Sequence, residues 1–127
     1  MQRMHISPER FEALAFDEAE AVLAELPPDL RAEAETVLLV VEDRAERDGA
    51  APPGYMTLGL YEGVPLVERH ADSTLLQPDR ITLFRLPLQS LARTESELRR
   101  QMRKTLIHEL GHFFGFDEEE LRARGWG

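Results

Sequence analysis

Apolar residues recur at intervals of three or four positions near the start of the chain. The series follows Ser7 and Pro8 and stops before Pro27, a pattern typical of an amphipathic helix with a serine cap and a proline in its first turn. Its members are Phe11, Leu14, Ala15, Ala19, Val22, Leu23 and Leu26. The pattern therefore predicts an N-terminal helix that buries one face.

A second series with the same period lies near the end of the chain. It follows Thr94, and Glu97 three residues later completes a capping-box pattern. Its members are Leu98, Met102, Leu106, Leu110 and Phe113. Gly115 stands where such a helix would end in a left-handed residue, and residues 117–121 have the pattern of a short terminal helix with acids at its start.

Between the two helices the pattern changes to short apolar runs. A polar connection precedes residues 37–41, which are apolar at every position and are predicted to form the central, buried strand. Residues 58–67 alternate loosely, and residues 80–84 form another β-like run. We therefore predict one α+β domain over residues 1–127, in which a small mixed sheet packs on the N-terminal and C-terminal helices.

Composition and charge exclude several functional classes. The chain has no cysteine, so thiolate metal sites and thiol nucleophiles are excluded, and any metal must bind to His, Asp or Glu. The net charge of −9 would repel phosphate backbones, which argues against nucleic-acid binding. No apolar run is long enough for a secretory signal or a membrane span, so the sequence predicts a cytoplasmic protein that has no contact with membranes.

The chemistry-bearing motif is His108-Glu109-Leu110-Gly111-His112, the pattern H-E-x-x-H. Residues four apart project from the same face of a helix, so the two imidazoles can bind one Zn²⁺ ion. Glu109 points away from that face and can act as the general base on the water that zinc activates. The pattern predicts one zinc ion per chain, although two histidines with a carboxylate also suit Fe(II), Mn(II) or Co(II).

We expect a third ligand to come from residues soon after His112. The spacing H-E-x-x-H-x-x-G-x-x-E is similar to the metzincin motif, with a carboxylate in place of the third imidazole. Glu118 is therefore the predicted third ligand. Asp117 could ligate instead, or it could orient one of the histidines. An oxyanion donor is also needed, and the candidates are Tyr61, which could alternatively contact substrate, Tyr55 and His70.

The sequence resembles a small bacterial family of zincin-like proteins described as possible zinc metallopeptidases. The similar stretches are residues 40–43, 59–66, 78–84 and 108–121. The resemblance implies a compact zincin-like α+β fold, an edge strand close to the active-site helix, and zinc. We therefore expect a zinc-dependent metallopeptidase that hydrolyses peptide or protein substrates. The alternative is a metal-stabilised, catalytically inactive binding module, and neither the substrate nor the oligomeric state follows from the sequence.

Overall fold

A computed structural model of the protein describes residues 4–45, 56–68 and 78–124. Within these ranges the chain forms five α-helices, three strands and one short 3₁₀ helix. In chain order they are α1 (Pro8–Ala24), α2 (Pro28–Ala34), β1 (Leu38–Glu42), β2 (Gly59–Glu62), the 3₁₀ helix (Leu66–Glu68), β3 (Arg80–Phe84), α3 (Arg85–Ser90), α4 (Glu95–Phe114) and α5 (Glu118–Ala123). The predicted α+β class is confirmed.

The two long helices begin as their sequences predict. The Ser7 side chain accepts a hydrogen bond from the backbone N–H of Arg10 at the start of α1. The Thr94 hydroxyl accepts one from the N–H of Glu97 at the start of α4. Each cap pairs one of the N–H groups that a helix leaves without an internal partner. The Thr94 contact fixes the first residue of α4, the helix that carries the H-E-x-x-H motif.

The three strands form one mixed sheet in the order β1-β3-β2. β3 pairs in parallel with β1 and antiparallel with β2. The prediction that residues 37–41 form the central strand is wrong, because β3 occupies the centre and β1 lies at an edge. Burial agrees with this order: four of the five residues of β3 are buried, whereas Leu38 of β1 is half exposed.

Two of the short helices, α2 and α3, are absent from the sequence-based predictions. The segment expected to be a polar connection contains α2, which begins with Pro28 in its first turn. The Arg31 guanidinium donates hydrogen bonds to the carbonyls of Leu23, Ala24 and Leu26, at and just beyond the end of α1. These contacts with the preceding helix stabilise a helix whose apolar pattern is weak.

Helix α4 runs through the middle of the hydrophobic core. It packs against α1, against α3, and against strands β2 and β3 of the sheet. Phe11, Leu14, Leu83, Leu98 and Met102 are fully buried around it. The site-bearing helix is therefore held from several directions. In the described part of the chain, no helix combines the length and the apolar character needed to cross a membrane.

Candidate metal centre

The two histidines of the motif lie next to each other on the exposed side of α4. Their Nε2 atoms are 3.2 Å apart, and the rings meet edge to face with their centroids 4.8 Å apart. Both residues are exposed, although their neighbours Ile107, Leu110 and Phe113 are buried. The core-facing side of α4 thus orients the helix so that both imidazoles point outward from one face.

This pair of imidazoles fits a metal ion. Two nitrogens bound tetrahedrally to Zn²⁺ at about 2.0–2.1 Å stand roughly 3.3 Å apart, close to the separation seen between the two Nε2 atoms. The ligand atoms of His108, Glu109 and His112 all lie within 4.8 Å of one another, and they form the group of described residues that could hold a metal. The arrangement therefore offers two nitrogen ligands with a carboxylate beside them.

Glu109 is the only member of this group that is buried, with 8% of its surface exposed. Its Oε1 atom accepts a hydrogen bond of 2.8 Å from the backbone N–H of Tyr61. Its Oε2 atom lies 4.0 Å from Nε2 of His108. One oxygen is therefore held by the main chain of β2, while the other faces the histidines.

The hydrogen bond to Glu109 comes from the outer edge of the sheet. The N–H of Phe84 on β3 donates to the carbonyl of Leu58, so the even-numbered residues of this segment direct their main-chain groups toward β3. Gly59 and Tyr61 direct theirs away from β3, and Glu109 receives the Tyr61 amide there. The edge strand that the resemblance implied near the active-site helix is β2.

Gly59 allows β2 to approach α4 closely. A Cβ atom at this position would lie 2.5 Å from Cγ2 of Thr105, 3.2 Å from the carbonyl oxygen of Thr82 and 3.6 Å from Cγ of Glu109. Any side chain would therefore push the strand away from the helix at the level of Glu109. This contact and the Tyr61 amide are features of the candidate site that the sequence did not predict, and Gly59 is the one signal that pointed to a close approach.

The Tyr61 side chain extends along α4 toward its C-terminal end. Its ring packs edge to face on Phe113, with the centroids 6.0 Å apart. Its hydroxyl oxygen is buried in the region of Gly63 and Asp79. The predicted role of this hydroxyl as an oxyanion donor or substrate contact stays a prediction. The other two candidates, Tyr55 and His70, lie outside the described residues.

Gly115 ends α4 in the left-handed conformation that the sequence predicts, with φ of 81°. The N–H of Phe116 donates to the carbonyl of Gly111, which closes the end of the helix. The Val67 side chain occupies the space where a Cβ of Gly115 would stand. Gly115 thus reverses the chain one turn after His112 and directs α5 back along α4.

Helix α5 packs on the motif itself. The buried Leu121 side chain fills the space beside Gly111, where a Cβ would lie 2.6 Å from Leu121 Cδ2. The Asp117 carboxylate accepts a hydrogen bond of 2.8 Å from the N–H of Glu120, and so it caps α5. Glu118 is the first residue of α5, and its side chain lies outside the described part of the chain. The choice between Asp117 and Glu118 as third ligand stays a prediction.

A comparison with known families supports the interpretation of this site. A family model described as zincin-like metallopeptidase matches residues 34–126, a range that begins in α2 and includes every strand, α4 and α5. Such a family implies zinc binding, and the group of His108, Glu109 and His112 could hold the metal. No curated protein matches the chain.

Proposed function

Because the chain belongs to the zincin-like metallopeptidase family, we propose that it is a zinc-dependent peptidase in which His108 and His112 bind the metal. The observation that carries this proposal is the combination of two converging Nε2 atoms with a buried carboxylate behind them. The family match covers the sheet as well as the motif, so it agrees with the resemblance found in the sequence.

Glu118 is our proposed third ligand. Gly115 reverses the chain after His112, and α5 begins at Glu118. Asp117, the alternative, already uses its carboxylate to cap α5. A ligand set of two imidazoles and one carboxylate leaves a fourth position open for water or substrate, as catalytic zinc sites require. A zinc ion held there would supply a Lewis acid that polarises a peptide carbonyl and makes water more acidic.

Glu109 is our proposed general base. It takes one proton from the attacking water while the water oxygen forms a bond to the peptide carbonyl carbon. It then gives that proton to the amide nitrogen as the C–N bond breaks, so that one carboxylate serves both steps. The Tyr61 amide supports this role, because a hydrogen bond to one oxygen fixes the carboxylate while the other oxygen stays near His108.

The outer edge of β2 is our proposed binding surface for the peptide backbone. Gly59 and Tyr61 direct main-chain groups toward this edge, beside Glu109. An extended peptide can add to such an edge through main-chain hydrogen bonds, which are independent of its sequence. The absence of a side chain at Gly59 keeps this edge close to α4 and therefore close to the histidines.

The test combines metal content with turnover. We expect about one zinc per chain after dialysis of the unmodified protein and none in His108→Ala, because a structural or catalytic zinc site requires its ligands. We further expect zinc-dependent cleavage of a mixed peptide pool, and its loss in Glu109→Ala while zinc is retained. Retained metal without cleavage would favour the inactive binding module instead. Absence of metal in the unmodified protein, even after zinc is added back, would contradict both functions.

A further inference from the structure

An open groove lies beside the first half of α4, upstream of the two histidines. Its volume is about 540 Å³, and it is bordered by the segment that leads from α3 into α4 and by one face of α4. The residues that line it are Leu91, Arg93, Glu97, Arg100, Gln101 and Lys104. Leu91 is a half-exposed apolar side chain, so the groove combines three cations with an apolar contact.

The cations of this groove differ from their neighbours on the same helix. Arg99 donates to Glu18 at 2.7 Å, and Arg103 donates to Glu25 at 2.8 Å, so both are paired with carboxylates of α1 or of its end. No ion pair between described residues includes Arg93, Arg100 or Lys104.

Glu97, the one carboxylate among the described residues that line the groove, accepts a hydrogen bond of 2.7 Å from the backbone N–H of Arg93. It therefore helps to cap α4 and does not neutralise the cations in an ion pair. In a chain with a net charge of −9, these cations form a local positive surface that a negatively charged group could bind.

The lining residue of the groove nearest to the candidate metal centre is Lys104, one helical turn before His108. Arg100, Lys104, His108 and His112 follow one another at intervals of four residues, and all four are exposed. Each interval turns by about 40° around the helix, so the four side chains form an oblique row along α4 in which successive members are neighbours. At a rise of 1.5 Å per residue, Lys104 is about 6 Å and Arg100 about 12 Å from His108 along the helix axis. An extended peptide covers these distances with about two to four residues.

We propose that this groove binds acidic side chains of the substrate, located about two to four residues from the bond that is cut and on one side of it. The inference rests on the proposed peptidase function, since it places the acidic residues relative to the histidines and Glu109. Lys104 and Arg100 bind the carboxylates, and Leu91 contacts an adjacent apolar side chain. The substrate is therefore an acidic peptide segment, although the protein as a whole is acidic.

A nucleic acid is the other polyanion that could enter a basic groove. Three cations line the groove among the described residues, and the net charge of −9 opposes the approach of a long phosphate backbone. A short acidic peptide brings fewer charges near the rest of the surface, and its extended backbone can also pair with the edge of β2. These considerations favour the peptide.

Binding can be measured without cleavage on zinc-loaded Glu109→Gln protein. The probe is a fluorescein-labelled decapeptide with three glutamates and two leucines, and its twin has glutamine at each glutamate. We expect the acidic peptide to bind roughly tenfold more tightly than the glutamine twin, from the summed effect of exposed charge pairs. Increasing the salt concentration should remove this preference.

Two double variants of the same net charge separate the groove from general electrostatics. Arg100→Gln/Lys104→Gln removes the groove cations, whereas Arg99→Gln/Arg103→Gln removes two cations that face α1. We expect the first to lose the preference for the acidic peptide and the second to keep it. Equal behaviour of the two variants, or no preference in the parent protein, would overturn the proposal. Tighter binding of a single-stranded oligonucleotide that depends on the same cations would replace the peptide by a nucleic acid.

Cleavage of a peptide library by the unmodified enzyme then tests the position. We expect enrichment of Asp and Glu about two to four residues from the cut, on one side only, and loss of that enrichment in Arg100→Gln/Lys104→Gln. Cleavage without any such enrichment contradicts the groove assignment and leaves the peptidase intact. Groove-dependent binding of the acidic peptide without any cleavage contradicts the peptidase and leaves the groove as a binding site.

Discussion

Helix α4 meets β2 on one side of the motif and α5 on another, and each junction is built around a glycine. At the β2 junction, Gly59 faces Cγ2 of Thr105 and the backbone carbonyl of Thr82. At the α5 junction, the three atoms nearest to a Cβ at Gly111 all belong to the Leu121 side chain. The first is further connected by the hydrogen bond from the Tyr61 amide to Glu109, whereas the second is a packing contact.

This difference matches what each junction has to position. The carbonyl of Thr82 belongs to the central strand and cannot move without the sheet, so the β2 junction fixes the distance between Glu109 and the edge strand. The end of a leucine side chain can change rotamer at low cost, so the α5 junction tolerates small shifts of the helix that begins at Glu118. The general-base role that we propose for Glu109 needs the more exact position, because small displacements lower catalytic rates strongly.

The largest expected effect concerns Glu118, the proposed ligand at the start of α5. We expect Glu118→Ala to weaken zinc binding by at least about a hundredfold, which is the upper limit for residues that only support a ligand. Asp117→Asn should retain zinc, because asparagine can cap α5 in the same way. The exposed Glu119 provides the matched control, and Glu119→Ala should also retain zinc. Competition titration with a zinc chelator measures all three, and zinc loss in Asp117→Asn alone would reverse the assignment.

The next effect tests the close approach at β2. We expect Gly59→Ala to destabilise the protein by about 1–3 kcal/mol, because the new methyl group overlaps Thr105 and overpacks the junction. Turnover should decrease as the edge strand moves away from Glu109. The second substitution Thr105→Ser removes Cγ2 and keeps the hydrogen bond to the Gln101 carbonyl, so Gly59→Ala/Thr105→Ser should recover part of both losses. Urea denaturation and initial rates measure both single variants and the double variant. Strictly additive effects of the two substitutions would argue against the contact between position 59 and Thr105.

Two substitutions at Glu109 distinguish the proposed chemical role of the carboxylate from its structural role as a hydrogen-bond acceptor. Glutamine keeps an oxygen that can accept the Tyr61 N–H, but it cannot take a proton from water. Glu109→Gln and Glu109→Ala should therefore both lose turnover, whereas the alanine variant should be less stable by about 1 kcal/mol because the partly buried Tyr61 amide loses its acceptor. Thermal melting of the two zinc-loaded variants measures the difference. Equal stability would show that the hydrogen bond contributes nothing.

A smaller effect is expected at the α5 junction. Gly111→Ala gains helix propensity of up to about 1 kcal/mol, but the methyl group displaces the Leu121 side chain. We expect the gain in helix propensity and the cost of displacing Leu121 to cancel, so that the free energy of unfolding changes by less than about 1 kcal/mol. Gly59→Ala, in contrast, should lower it clearly. Adding Leu121→Val frees space beside the new methyl group and provides the control. Denaturant unfolding measures the series, and a loss as large as that of Gly59→Ala would remove the distinction between the two junctions.

The smallest effect concerns the contact of α4 with α1, which serves as a reference far from the motif. Hydrogen bonding to the Arg103 guanidinium lowers the pKa of Glu25 below its ordinary 4.5, and Arg10 does the same to the pKa of Glu95. A lowered carboxyl pKa stabilises the fold above the ordinary value, and this stabilisation disappears as the pH falls through the folded-state pKa. Glu25→Gln should therefore melt slightly earlier at neutral pH and lose less on acidification below about pH 4.5. An unchanged pH profile would contradict the pairing, and turnover at neutral pH should stay constant.

Local sequence patterns correctly predicted where several helices begin and end. The caps at Ser7 and Thr94, the left-handed Gly115 and the short helix after Asp117 all involve contacts within about five residues, so the sequence encodes them directly. The spacing of His108 and His112 belongs to the same class, because helical geometry alone brings the two imidazoles together. The family match agrees with the resemblance drawn from these stretches.

Contacts between distant segments were beyond the sequence. The apolar run 37–41 suggested a central strand, but strand order depends on which neighbours pair, and β3 lies between the other two strands. The bond from Tyr61 to Glu109 joins residues 48 apart and uses a backbone donor, which every residue except proline carries. Helix α2 is held by Arg31 binding to carbonyls near the end of α1, again a contact that no local pattern reveals.

The main-chain origin of the hydrogen bond to Glu109 also determines which mutations can remove it. A side-chain donor could be lost through many single substitutions, whereas the amide at position 61 disappears only when proline is introduced. Natural variation at Tyr61 would therefore change the packing on Phe113 and leave the support of the base intact. A saturation library at this position should reject proline most strongly, because proline alone removes the amide that supports Glu109.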